Sequence, residues 1–94
     1  MRFKGKYAVV TGAARGIGEE IVRRLYDEGI AGVAVLDISQ ESAERSARNV
    51  DAKGTKVFAY GCDIANAKMT REAFLNIKQK FGRIDILINN ASIT

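Results

Sequence analysis

The 94-residue sequence predicts an α/β fold, a doubly wound parallel sheet built in the order β-α-β-α-β-α-β with strand order 3-2-1-4. Three observations predict it. Short apolar runs alternate with stretches of helical periodicity, the runs are apolar at consecutive positions, and neither proline nor a long linker interrupts the order. A strand with consecutive apolar residues needs cover on both faces, and single intervening helices supply it when the strands run parallel. Crossovers in such sheets are right-handed, and in the doubly wound form the fourth strand lies on the far side of the first. The chain reads as one domain, residues 1–94, with no internal boundary.

Each element has its own signal. The first strand is "YAVV", ending at Thr11 and Gly12. From Ile17, the apolar positions Ile21, Val22 and Leu25 fall at helical spacing, and Gly29 closes the pattern. "GVAVLDI" is the second strand. Ser39 then caps a helix whose apolar side is Ala43, Ala47 and Val50, with Gln40 and Glu41 in its first turn. "KVFAYG" is the third strand. Thr70, Ala73, Phe74, Ile77 and Phe81 mark one face of a third helix, which Gly82 stops. "IDILINN" is the fourth strand.

Composition narrows the function classes. Hydrophobic residues at 47% and charged residues at 28% describe an ordinary globular chain. No apolar run approaches the roughly 20 residues that span a bilayer, and the apolar stretch behind the basic N-terminus is too short for a signal peptide. The expectation is a cytoplasmic protein with no membrane partner. The net charge of +4 comes from lysines and arginines interleaved with acids, as in "EEIVRRLYDE", without a basic aromatic stripe, so no nucleic-acid partner is expected. Cys62 is the only cysteine and its neighbours Gly61 and Asp63 carry no cation, so it reads as a structural thiol. With no histidine, the chain supplies no histidine base, and no metal site is expected.

The stretch "AVVTGAARGIGEEIV" carries the chemistry. Gly12, Gly16 and Gly18 stand between the first strand and the first helix, spaced G-x-x-x-G-x-G. Gly12 allows the sharp turn, Gly16 leaves room for a pyrophosphate against the backbone, and Gly18 lets the helix pack closely on the sheet. The helix N-terminus then offers N–H groups and partial positive charge to phosphates. A merely tight strand-to-helix turn would use similar residues. Position adds weight. Asp37 ends the second strand 19 residues beyond Gly18, near the spacing of an acid that binds a ribose. Asp37 could otherwise cap a helix. Asp63, ending the third strand, suits the adenine edge with Ile64 beside the base, or a turn. Asn89 and Asn90 end the fourth strand, Asn90 directed toward a cofactor and Asn89 structural. Four such signals at four successive strand ends coincide with the ligand crevice of open α/β sheets.

"TGAARGIG", Asp37, "CDI" at 62–64 and "NNAS" at 89–92 closely resemble the short-chain dehydrogenase/reductase family of the classical type, over Lys4 to Thr94. The resemblance implies a Rossmann fold that binds NAD(H) or NADP(H) and moves a hydride between nicotinamide and an alcohol or carbonyl. It implies that Gly12, Arg15, Gly16, Ile17 and Gly18 surround the pyrophosphate, and that Asp37, Ile38, Asp63 and Ile64 line the adenosine. It places Asn90 along the nicotinamide-side ribose, with Asn89 and Thr11 tying the fourth strand to the first. Ser92 stands where the family more often has glycine. NAD(H) is the expected cofactor and NADP(H) the lesser one. Asp37 would face a 2′-phosphate, Ile38 and Ser39 add no compensating charge, and Arg15 alone does not offset the repulsion.

The family's proton transfer uses a tyrosine followed four residues later by lysine. Here Tyr7, Tyr26 and Tyr60 are followed at that distance by Thr11, Ile30 and Ile64. No catalytic residue is therefore assigned. The expectation is a truncated, catalytically incomplete cofactor-binding portion that self-associates through the exposed fourth-strand edge or its helices. A stand-alone nucleotide-binding module without catalysis stays open. So does a methyltransferase-like domain, although S-adenosylmethionine lacks the pyrophosphate that this glycine loop suits.

Overall fold

Among the described residues, seven elements follow one another as β1 (Tyr7–Thr11), α1 (Gly16–Asp27), β2 (Gly32–Asp37), α2 (Gln40–Val50), β3 (Val57–Gly61), α3 (Ala67–Phe81) and β4 (Ile86–Asn89). The computed structural model describes residues 2–13 and 16–90. The strands form one sheet in the order β3-β2-β1-β4, every pair parallel. This is the Rossmann-type arrangement that the alternating pattern predicts.

The consecutive apolar residues divide between two cores because successive side chains point to opposite faces. Ala8, Val10, Val33 and Val35 face α1 and α2, where they pack with Val22, Leu25, Ala43 and Ala47. Val9, Ala34 and Leu36 face α3 and pack with Cys62 and Ile77. Two helices thus cover one face and one helix the other. Cover is complete over the aliphatic residues of β1 and β2, all of which are buried. On β4 it is one-sided, because Ile86 and Ile88 join the α1–α2 core while Leu87 is 57% exposed. Leu75 and Met69 on α3 are exposed as well.

Local chemistry fixes the boundaries. Ser39 caps α2, its hydroxyl accepting the Ser42 N–H at 3.2 Å. Asn66 does the same for α3, accepting from Met69 at 3.0 Å. Gly82 ends α3 with φ +86°, a left-handed angle that glycine takes without strain. The register of β4 on β1 is pinned at its start. The Asp85 N–H donates to the Tyr7 carbonyl at 2.8 Å, while the Asp85 carboxylate accepts the Tyr7 N–H at 2.9 Å. That backbone N–H, followed by Arg83 at 3.0 Å, holds the Asp85 carboxyl below its ordinary range.

The turn from α2 to β3 is organised by Asp51, which is 3% exposed. Its carboxylate accepts the N–H groups of Lys56 at 2.7 Å and Val57 at 3.1 Å. Burial pushes this carboxyl up, but hydrogen bonds from Lys56, Val57, Thr55 and Gly54 outweigh it and leave it below 3.8. A carboxyl with a depressed folded-state pKa stabilises the fold above its ordinary value, and that contribution is lost as pH falls through the folded value. Asp51→Asn is expected to cost about 1 kcal/mol at pH 7, the difference between charged and neutral hydrogen bonds. The gap to the parent should close as pH drops below 3.8. Urea unfolding at pH 7 and at acid pH measures both.

Candidate functional site

The parallel register brings the four strand ends into one row. Thr11 lies opposite Leu36 on β2 and Asn89 on β4, and Asp37 lies opposite Gly61 on β3. The loops that follow all leave the same end of the sheet. Gly12 begins the first of them with φ +67°, and its N–H donates to the Leu36 carbonyl at 2.8 Å, bending the chain toward β2. Gly16 is the first residue of α1, and a Cβ built there meets nothing within 4 Å. Backbone at that point is open to approach. Ile17 beside it is 73% exposed.

Gly18 is the opposite case. A Cβ there would run into the Gly12 carbonyl oxygen and lie 2.8 Å from the Ala13 Cα and 2.9 Å from the Asn90 amide nitrogen. Its bare backbone is what lets α1 sit against the loop and the end of β4. From beneath, the buried Ser46 hydroxyl on α2 lies 3.0 Å from the Ala13 carbonyl and 2.8 Å from the Glu19 carboxylate. One hydroxyl hydrogen thus serves two acceptors, and α2 is tied to both the loop and the first turn of α1.

The two acids stand on adjacent loops. Asp37 is half-buried at the end of β2, its Oδ1 accepting the Ser39 N–H at 3.4 Å, with Ile38 69% exposed next to it. Asp63 follows β3, and its Oδ1 accepts the Ala65 N–H at 3.0 Å. The Asp63 N–H itself points at the Met69 sulfur at 3.3 Å. Both carboxylates therefore shape their own turns. Ile64 is half-buried against the core that contains Cys62 and Ile77. At the other side of the row, the Thr11 hydroxyl donates to Asn89 Oδ1 at 2.9 Å, bridging β1 and β4. The Asn90 side-chain amide donates to the Gly12 carbonyl at 3.3 Å. Arg15 and Ser92 lie outside the described residues.

The arrangement combines an open glycine turn, a helix N-terminus and two carboxylates across a few residues of sheet. It can receive a ligand that carries phosphates at the turn and hydroxyls or an amine near the acids. Burial pushes the Tyr60 phenol above 10.0, so it stays protonated at neutral pH, and the Cys62 thiol is buried with the Thr70 hydroxyl 3.8 Å away. Among the described residues, no group of three or more potential ligands gathers to hold a metal ion. None of their helices is long and apolar enough to cross a membrane. A groove of about 940 Å³ runs along the outer side of α1 between Phe3 and Leu25, but it meets the strand-end row only at Gly16 and Ile17.

A family model described as short chain dehydrogenase matches residues 6–94. The chain belongs to the short-chain dehydrogenase family. A 3-oxoacyl-(acyl-carrier-protein) reductase from Staphylococcus epidermidis is 37% identical over 89 residues, which are 95% of this chain and 36% of that protein. The NAD+-bound structure of a xylitol dehydrogenase superposes with a TM-score of 0.91 at 34% identity, covering 99% of this chain and 35% of the other. A metagenomic short-chain oxidoreductase in complex with NADP gives 0.89 at 31% identity, covering 99% and 42%. This short-chain dehydrogenase sequence thus spans little more than a third of the length of the relatives it matches.

Two residues at this end of the sheet escape a reading of the sequence. Gln40 reaches the end of β3, and Ser46 supports the glycine loop. Ser46 leaves a trace, since it is a polar residue on the buried stripe beside Ala43 and Ala47. The contrast between the loop glycines is testable. Gly18→Ala is expected to destabilise the fold by about 1–3 kcal/mol, the usual range for forcing a methyl into filled space. Urea unfolding measures it, and an unchanged midpoint would remove the close-packing role of Gly18.

Proposed function

We propose that this chain is the nicotinamide-dinucleotide-binding unit of a short-chain oxidoreductase, preferring NAD(H) to NADP(H). In the whole protein, hydride passes between the nicotinamide and an alcohol or carbonyl substrate. The observation that carries the reading is the convergence of Gly12, Gly16, Asp37, Asp63 and Asn90 at one end of the sheet, with an open backbone approach at Gly16. Gly12, Arg15, Gly16, Ile17 and Gly18 would border the pyrophosphate, with the first N–H groups of α1 directed at its charge. Asp37 would accept hydrogen bonds from the adenosine ribose, with Ile38 flanking it. Asp63 and Ile64 would border the adenine, and Asn90 the nicotinamide-side ribose. Thr11 and Asn89 hold β1 and β4 together behind that ribose.

A nicotinamide held here would donate the hydride in its reduced form and accept it in its oxidised form. The side chains here bind and orient, and none is assigned the proton transfer, because no tyrosine in the sequence is followed four residues later by lysine. The preference for NAD(H) rests on Asp37. A 2′-phosphate beside that carboxylate would bring like charges together in a half-buried place. Structures similar to this chain hold NAD+ in one case and NADP in another, so the choice turns on local charge. The reading extends to a cytoplasmic setting, to a single unit over 1–94, and to partners that exclude nucleic acid and membrane. It also includes self-association at the outer side of β4, where Leu87 is exposed.

Calorimetric titration of the folded chain with NADH, NADPH and S-adenosylmethionine tests the reading, with saturable binding of NADH ahead of both others expected. No binding of any dinucleotide would overturn it. Asp37→Ala should weaken NADH by roughly 10–150-fold, the loss of a charged hydrogen-bond partner, and narrow the gap to NADPH. Gly16→Ala should not lower the melting temperature and should still weaken NADH, since the added methyl meets no protein atom within 4 Å. Unaltered affinity in that variant would sink the assignment of the glycine turn to the pyrophosphate.

A further inference from the structure

We propose that Gln40 is a positioning residue that sets the separation between the two walls of the adenosine pocket, Asp37–Ile38 on one side and Asp63–Ile64 on the other. The inference rests on the dinucleotide reading above and deepens it. Gln40 is the first residue of α2. Its Oε1 accepts the Gly61 N–H at 2.5 Å, and its Nε2 lies 3.4 Å from the Ala59 carbonyl and 3.1 Å from Glu44. The side chain therefore spans from the helix to the last residues of β3.

What it spans is the proposed pocket. Gly61 is the register partner of Asp37, and the Cys62 N–H donates to the Asp37 carbonyl at 2.7 Å. The segment Asp37–Ile38–Ser39–Gln40 is thus fastened to β3 twice, by backbone at its start and by the Gln40 amide at its end. Asp63 and Ile64 come two and three residues beyond Gly61. Separation of the two walls at their base works against this link and the backbone bond beside it. The seat is fitted to the amide, because a Cβ at Gly61 would lie 2.9 Å from both the Cβ and Oε1 of Gln40 and 3.0 Å from its Cα. Glycine on the strand and a long amide on the helix form a matched pair.

A solvent-exposed hydrogen bond of this kind adds little to folding, so its main effect is on geometry. The test uses the folded full chain, with Gln40→Ala, Gln40→Met and Gly61→Ala titrated against NADH, ADP-ribose and the hypoxanthine analogue of NADH. Melting temperatures accompany each titration. Gln40→Ala should lower the affinities for NADH and ADP-ribose by the same factor, about three- to tenfold, and shrink the preference for adenine over hypoxanthine. Gln40→Met should match Gln40→Ala, because it restores volume without the acceptor. Gly61→Ala should shift affinity in the same direction with Gln40 intact. Unchanged affinity and base preference in Gln40→Ala, beside a wild type that binds NADH, would overturn this inference alone, as would full rescue by Gln40→Met. Failure of the folded wild type to bind NADH would overturn the dinucleotide reading and this inference with it.

Discussion

β1 sits between β2 and β4 with its backbone paired on both edges and its side chains buried on both faces. Because neighbouring side chains alternate, Ala8 and Val10 commit to one core and Val9 to the other. A helix must then lie on each side, and each crossover must return the chain to the same end of the sheet. All carboxyl ends consequently face one way, and the loops that carry Gly12, Asp37, Asp63 and Asn90 meet there. The crevice is a product of the packing of β1 before any of those residues acts on a ligand.

Polar residues at the strand ends spend hydrogen bonds on the scaffold first. Asp37 and Asp63 each accept an N–H two residues ahead, Thr11 binds Asn89, and Asn90 reaches Gly12. Such bonds restrict the side chains before any ligand arrives, which lowers the entropy lost on binding. The glycine loop is held in the same manner, by Ser46 from below and by the tight seat of Gly18 at the side.

Most of the fold was legible in the sequence because its signals are local. β1 stops just before a glycine, Ser39 and Gly82 bracket helices as their chemistry dictates, and the stripe from Thr70 to Phe81 lies at helical spacing. The row of candidate site residues was also legible, since each follows a strand. The links that hold the row were not. Gln40 meets Gly61 across 21 residues, Ser46 meets Glu19 across 27, and Tyr7 meets Asp85 across 78. A glutamine in a first turn looks like any exposed residue until the strand beside it is known. The one-sided cover of β4 was hidden for a related reason. "ILIN" is as apolar as the inner strands, yet Leu87 lies outside the core that β1 and β2 form with Ile77 of α3.

The two margins of the sheet differ in kind. At β3, the outward donor of Gly61 and acceptor of Ala59 already engage the Gln40 amide, which stands in for a neighbouring strand. At β4, among the described residues, pairing is with β1 alone. An extended peptide meeting the β3 flank would thus find it blunted by a side chain.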